Sequence, residues 1–183
     1  MLCKIELPLK KTDTIKFQAG DELLLNGVIY TARDAAHKKF HELLQANKPL
    51  PFDLKEQIIY YTGPVPTPAP AVGRTEGARP VGSAGPTTSD RMDPYTPELL
   101  DLGLSAVVGK GPRAPEVKAA FLRNKALYLG AIGGAGALLA QAIIAAEIIA
   151  FPELGAEAVY QLTVQDFPVT VLYDTHGGDL YNR

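Results

Sequence analysis

Apolar and polar positions recur along this chain with two different periods. Residues 3–7 (CKIEL) alternate singly, the two-residue period of a half-buried strand, and predict an edge strand. Asp21 to Tyr30 (DELLLNGVIY) is aliphatic on both sides of Asn26-Gly27 and predicts a strand with a turn or a bulge at that pair. In TARDAAHKKFHELLQAN the period changes. Ala36, Phe40, Leu43 and Leu44 recur at helical spacing, so an amphipathic helix begins near Arg33 with Thr31 or Asp34 as its cap. QIIYYTG (57–63) predicts a buried strand, and TPELLDLG a short helix with Pro97 in its first turn and Gly103 near its end. SAVVGKG (105–111) predicts a strand, and APEVKAAFLRNK (114–125) a helix packing through Val117, Ala120 and Phe121.

From Ala126 to Phe151 the chain is almost wholly apolar, broken only by Gln141 and Glu147, long enough to imitate a membrane span. Gly130, Gly133, Gly134 and Gly136 favour a turn in its first half, and Glu147 would be costly in hydrocarbon. A buried strand (ALYLGA), a glycine turn and a buried helix (ALLAQAIIAAEII) account for the same letters without a membrane. The tail AVYQLTVQDFPVTVLYDTHGGDLY reads as two strands around Asp166-Phe167-Pro168, with a Gly-Gly turn leading to Asp179–Tyr181. Strands alternate with helices in the middle of the chain and pair directly at its ends. The expectation is an α/β protein with a mixed sheet, one domain spanning 1–183.

Composition narrows the classes. The chain is 46% hydrophobic and 21% charged, an ordinary balance for a globular protein. A net charge of −2 offers no broad basic field for nucleic acid. The single cysteine, Cys3, cannot make an internal disulfide, nor supply the several ligands of an iron–sulfur cluster or structural zinc. The start MLCKIELPLKK lacks the apolar core of a secretion signal, so a cytoplasmic location is expected.

The candidate chemistry gathers in GPTTSDRMD (85–93), at the end of a Gly/Pro-rich connection that runs from Gly63 to Gly85. The hydroxyls of Thr87 and Thr88, the guanidinium of Arg91 and backbone N–H groups meet there at an expected helix start. That arrangement suits an anion, with a proton-handling hydroxyl beside it; an ordinary capped helix with a solvated Arg91 explains the same letters. Arg33 is placed at a strand-to-helix corner, the unfavourable end of a helix for a cation. Lys110 lies between two glycines at the C-terminal end of a strand, which fits an anion ligand or an exposed turn equally well. His37 and His41, four apart on one helix, have metal-ligand spacing but no third ligand nearby, so they read as packing or surface histidines. The glycines at 133–136 lack nucleotide-binding spacing.

In matching order, TARDAAH (31–37), YTGP (61–64), GSAGPTTSDRMD (82–93), VVGKG (107–111), YLGAIGGAGALLA (128–140) and VQDFPVTVLYD (164–174) resemble one family. It is the β subunit, or C-terminal domain, of the iron–sulfur hydro-lyases: class I fumarase and L(+)-tartrate dehydratase. The resemblance runs from about Gly20 to Tyr181. It implies a swivelling three-layer β/β/α domain. It also implies a hetero-oligomer whose α subunit holds a [4Fe–4S] cluster through three cysteines, leaving this chain with no metal of its own. The implied activity is reversible addition of water across the double bond of a small dicarboxylate, fumarate first, with tartrate dehydratase or a non-catalytic anion-binding module as alternatives.

By motif position the resemblance assigns substrate binding to Arg33, Arg91 and Lys110, and the proton-abstracting role to Thr87. Physical chemistry suits that division. Removing a proton beside a carboxylate needs fixed positive charge to stabilise the anion that develops. Arginine grips a carboxylate through two parallel hydrogen bonds and lysine adds a point charge. A threonine hydroxyl is a poor base unless cations lower its pKa. The connection between YTGP and GSAGPTT, with Arg74 and Arg79, is longer than the family pattern suggests and bears on substrate access.

Overall fold

The computed structural model describes residues 2–65, 67 and 80–182. Seven strands form one mixed sheet. They are β1 (Leu2–Glu6), β2 (Glu22–Thr31), β3 (Ile58–Tyr60), β4 (Ala106–Gly109), β5 (Leu127–Gly130), β6 (Ile143–Ala150) and β7 (Val159–Tyr173). The helices are α1 (Lys11–Thr14), α2 (Asp34–Gln45), α3 (Thr96–Asp101), α4 (Pro115–Arg123) and α5 (Gly136–Leu139). Strands β1 to β5 lie side by side in parallel. β7 runs antiparallel to both β5 and β2, so β2, β3, β4, β5 and β7 close a circuit of pairings, with β1 and β6 outside it.

The three short middle strands show why the layers form. In register, Ile58, Ala106 and Leu127 face one way, Ile59, Val107 and Tyr128 the other, and Tyr60, Val108 and Leu129 the first way again. The first face meets Leu23, Leu25, Ile29, Phe167 and Val171 in a core enclosed by β-strands. The second receives the helices, through Ala36 and Phe40 of α2, Leu99 and Leu100 of α3, and Val117, Ala120 and Phe121 of α4. Both faces are buried, so these strands read as continuous apolar runs. The order is strand layer, strand layer, helix layer, consistent with the three-layer α/β domain that the resemblance implies.

Of the two alternatives at Asn26-Gly27, the ladder shows the bulge and not the turn: β2 continues through the pair with a register shift, opposite Asp166 of β7, which has φ 50° and whose N–H donates to Asn26 Oδ1 at 2.9 Å. Two other expectations about elements are corrected. β7 is one strand rather than two. Pro168 is tolerated within it because there only β2 flanks β7: the pairings to β6 end at Val164 and those to β5 begin at Thr170. The expected helix ALLAQAIIAAEII is instead short α5, one 3₁₀ turn (Ala140–Ala142) and edge strand β6. Four β-branched isoleucines and the open edge of β7 outweigh the helical look of the alanines. Among the described residues no helix is long and apolar enough to cross a membrane.

The base of the long connection is described. Val65 pairs with Ser83 through Val65 N–H to Ser83 O at 2.8 Å and Gly82 N–H to Val65 O at 2.9 Å. Arg74 and Arg79, expected to bear on substrate access, lie outside the described residues.

Candidate active site

Four parallel strands, β2 to β5, end at one edge of the sheet. Each is followed by part of a motif: Arg33 after β2, Thr62-Gly63 after β3, Lys110-Gly111 after β4 and the glycines 133–136 after β5. The C-terminal edge of parallel strands is the usual ligand side of such sheets.

The segment 84–89 is laid across that edge and fastened to the ends of β3 and β4 and to the start of α5. Ala84 N–H donates to Gly136 O at 3.0 Å, and Tyr60 Oη–H donates to Ala84 O. Thr62 Oγ1–H donates to Gly85 O at 2.8 Å and Thr87 N–H to Tyr61 O at 2.8 Å. Thr88 pairs with Lys110 as an isolated parallel bridge, with Ser89 N–H donating to Lys110 O at 3.0 Å. Asp93 closes the far end. Its carboxylate accepts Ala114 N–H at 2.9 Å and pairs with Arg113, a buried guanidinium over the rings of Tyr61, Phe121 and Tyr128. Burial works against the Arg113 charge, but Tyr61 and Asp93 outweigh it and hold the guanidinium more firmly protonated.

The structure thus brings the four sequence-predicted residues to one edge. Thr87 is half-buried with its backbone pinned to β3. Arg91 is exposed on the 3₁₀ turn Ser89–Met92 and has no ion pair among the described residues. Lys110 is half-buried just beyond β4, with its side chain alongside Gly133 of the glycine turn after β5. A cavity of about 180 Å³ opens beside Lys110, with Tyr181 on its wall. Arg33 occupies the N-cap position of α2, and its side chain lies against Gly63, where a Cβ would sit 3.4 Å from Arg33 Cδ. Its Nη2 is 3.1 Å from Glu157 Oε1 and 3.6 Å from Asp34 Oδ1.

Several local expectations change. Neither Thr31 nor Asp34 caps α2; Thr31 Oγ1 donates to Ala158 O at 3.3 Å and accepts Tyr160 N–H at 3.0 Å. The N–H groups of Thr87 and Ser89 are not free for an anion, because both donate to strand-end carbonyls. His37 is fully buried, with Nδ1–H donating to Arg33 O at 2.9 Å and its ring edge-on to Tyr61; burial lowers its pKa to about 4, so it is neutral. His41 lies 2.9 Å from Glu98 Oε2. These are packing and surface roles, as the spacing without a third ligand suggested. The residues that the sequence did not single out are Glu157, whose contact with Arg33 has no local signal, and Ser89, hidden inside the motif as an ordinary serine.

Among the described residues no three His, Cys, Asp or Glu are placed to hold a metal. Cys3 pairs with Leu23 in the parallel β1–β2 ladder, eight residues before Thr31, which puts it roughly 25 Å from the strand ends that carry the site. The donor set of this chain does not fit an iron–sulfur cluster.

The sequence model of the family described as Fumarase C-terminus matches residues 2–183. The chain is 42% identical over 179 residues to a Methanocaldococcus jannaschii protein named "Putative L(+)-tartrate dehydratase subunit beta", covering 96% of this chain and 89% of that protein. It is 41% identical over 170 residues to "Fumarate hydratase class I, anaerobic" of Escherichia coli (strain K12), covering 92% of this chain but 30% of that protein. "Fumarate hydratase 2" of Leishmania major is 40% identical over 170 residues, with 92% of this chain and 28% of that protein covered. The chain therefore spans under a third of these two fumarate hydratases and nearly all of the tartrate dehydratase subunit.

Proposed function

The chain belongs to the fumarase C-terminus family of hydro-lyases, and from that premise we propose that it is the β subunit of a two-component enzyme that adds water reversibly to fumarate. Arg33, Arg91 and Lys110 bind the substrate carboxylates, and Thr87 moves the proton at the carbon beside one of them. One observation carries the reading: a single hydrogen-bonded segment joins Thr87 and Arg91 to Lys110 at the edge where Arg33 also ends its strand. A bidentate arginine and a lysine point charge are the donors that a dicarboxylate needs. They also favour the anionic form of a hydroxyl between them.

The [4Fe–4S] cluster of such hydro-lyases is assigned to an α subunit, since this chain offers one cysteine on a distant strand. Bound there, an open iron site supplies Lewis-acid polarisation of the substrate oxygen. What this chain contributes is position, positive charge and the proton-handling hydroxyl. Exposed Ile132 and Leu138, near the glycine turn beside Lys110, offer an apolar rim for the subunit contact. Placing both components in the cytoplasm follows from the same reading.

A second reading keeps the fold and site and changes the substrate to tartrate. It is favoured by the near full-length match to a separate tartrate dehydratase β subunit. The test is to reconstitute the chain anaerobically, alone and with its α subunit, and to assay fumarate, malate and tartrate. The expected result is no stoichiometric cluster and no turnover for the chain alone, and both on mixing, with fumarate and malate preferred. Turnover by the isolated chain would refute the divided site, and preference for tartrate would select the second substrate.

A further inference from the structure

Ser89 is fully buried between Thr87 and Arg91, two residues from each. It grips Lys110 on both sides of that residue's own backbone. Ser89 N–H donates to Lys110 O at 3.0 Å, and Lys110 N–H donates to Ser89 Oγ at 3.1 Å. Ser89 Oγ also lies 2.9 Å from Tyr128 Oη, which lies 2.7 Å from Gly111 O. A hydroxyl has one proton to give, and a carbonyl only accepts. Tyr128 therefore donates to Gly111 O, Ser89 donates to Tyr128, and the Ser89 lone pair takes Lys110 N–H. The chain of bonds starts at Lys110 and closes on the next residue. Gly111 N–H is held in turn by Tyr181 Oη at 3.0 Å.

The strand makes room for this hydroxyl. A Cβ on Gly109 would overlap Ser89 Oγ and come within 3.1 Å of Tyr61 Cδ2. Lysine carries its charge on a flexible four-carbon stem, so the part of Lys110 that a scaffold can fix is its backbone. We infer that Ser89 is a positioning residue, which fixes Lys110 relative to Thr87 and Arg91 so that one dicarboxylate meets all three. The inference rests on the substrate-binding reading above and adds to it a residue that touches no substrate.

The experiment is a double-mutant cycle on the assembled enzyme, with succinate as a non-reacting dicarboxylate probe and its Kd read by calorimetry. Ser89→Ala should weaken succinate about tenfold, the size of one lost hydrogen bond. Added to Lys110→Ala it should change Kd by less than about twofold, because nothing remains for Ser89 to position. Full additivity would overturn the inference. Amide hydrogen exchange on the chain alone reads the clamp without any ligand. Exchange at Lys110 N–H should accelerate at least about tenfold in Ser89→Ala, since the amide loses its acceptor, and unchanged exchange would overturn the clamp. If succinate binding ignores Lys110→Ala while exchange responds to Ser89→Ala, the substrate-site reading fails and the clamp stands. Gly109→Ala supplies the second variant: alone it should displace Ser89, lowering Tm and weakening succinate together. Combined with Ser89→Ala it should regain Tm but not affinity, whereas recovery of both would reduce Ser89 to packing.

Discussion

Arg33 Nη2 lies 3.1 Å from Glu157 Oε1, an ion pair that ties the start of α2 to the 3₁₀ segment leading into β7. The other Glu157 oxygen accepts Ala35 N–H at 3.2 Å, so the carboxylate is seated on the first turn of α2, where helix N–H groups favour negative charge. Arg33 Nε is buried and has no hydrogen-bond partner among the described residues. The guanidinium is thus held from one side only.

Glu157→Gln keeps acceptors for Ala35 N–H and for Arg33 but removes a charge that opposes an incoming anion. A unit charge some 6 Å from a bound carboxylate repels it by about 0.7 kcal/mol in water and by about 3 kcal/mol at an effective dielectric of about 20. Dicarboxylate binding to the assembled enzyme should therefore tighten severalfold in Glu157→Gln, read as Ki or Kd. Weaker binding would assign Glu157 to holding Arg33 in place.

Arg91 is exposed and has no ion pair among the described residues, so its replacement should hardly touch stability, by less than about 0.5 kcal/mol. Arg91→Lys keeps the charge and loses the planar fork. One charge-assisted hydrogen bond is worth roughly 1.5–3 kcal/mol, which corresponds to a fall in kcat/KM of about ten- to more than a hundredfold. Thermal melts and steady-state kinetics on the same preparation separate the two effects. Activity within twofold of the parent would return Arg91 to solvent.

How far such a site can be read from letters depends on whether its partners are near in sequence. IIYY, AVV and LYL announced buried strands because both of their faces are covered, one by strands and one by helices. The pattern put Arg33 at a strand-to-helix corner and Lys110 at a strand end, and it was the family resemblance that grouped the two. Glu157 was illegible because its pairing with Arg33 depends on how β7 returns along β2. β6 was misread for a related reason: its alanines and isoleucines suit a helix locally, and only the open edge of β7 decides otherwise. At Asp166 the letters suggested a break, but Asn26 across the ladder satisfies the bulge and keeps the strand whole.

Thr87 is half-buried with its N–H committed to Tyr61 O, so its substitution should leave the segment in place. If its hydroxyl moves the proton, Thr87→Ala in the assembled enzyme should abolish exchange of solvent deuterium into the substrate carbon. Thr87→Ser should retain part of it. Substrate Kd should change little in either variant, since Arg33, Arg91 and Lys110 remain. Rapid exchange catalysed by Thr87→Ala would place the base on the partner.

His37 gives the fold a pH dependence. Its pKa is lowered from 6.5 to about 4, first by burial, against the opposing effect of its bond to Arg33 O, and also by the nearby charge of Arg113. Its Nε2 is buried without a partner among the described residues, so a second ring proton would find no acceptor among them. The folded-state pKa lies below the unfolded one, so between about pH 6.5 and 4 the unfolded chain binds the proton and the folded chain does not. Stability is then full above pH 6.5 and is lost as the pH falls through that window. At pH 5 the loss amounts to about 2 kcal/mol for this one group. Urea unfolding at pH 7.5 and pH 5 should show that difference, and His37→Phe should remove most of it, because the Arg33 carbonyl still accepts the backbone N–H of residue 37. An undiminished pH slope in His37→Phe would overturn the assignment to this ring, because a carboxylate such as Asp174, with its pKa lowered from 3.8, gives up its stabilisation only below the pH 5 end of that comparison. There burial raises the pKa but the N–H groups of Ala19, His176 and Gly178 outweigh it and keep the group ionised to lower pH.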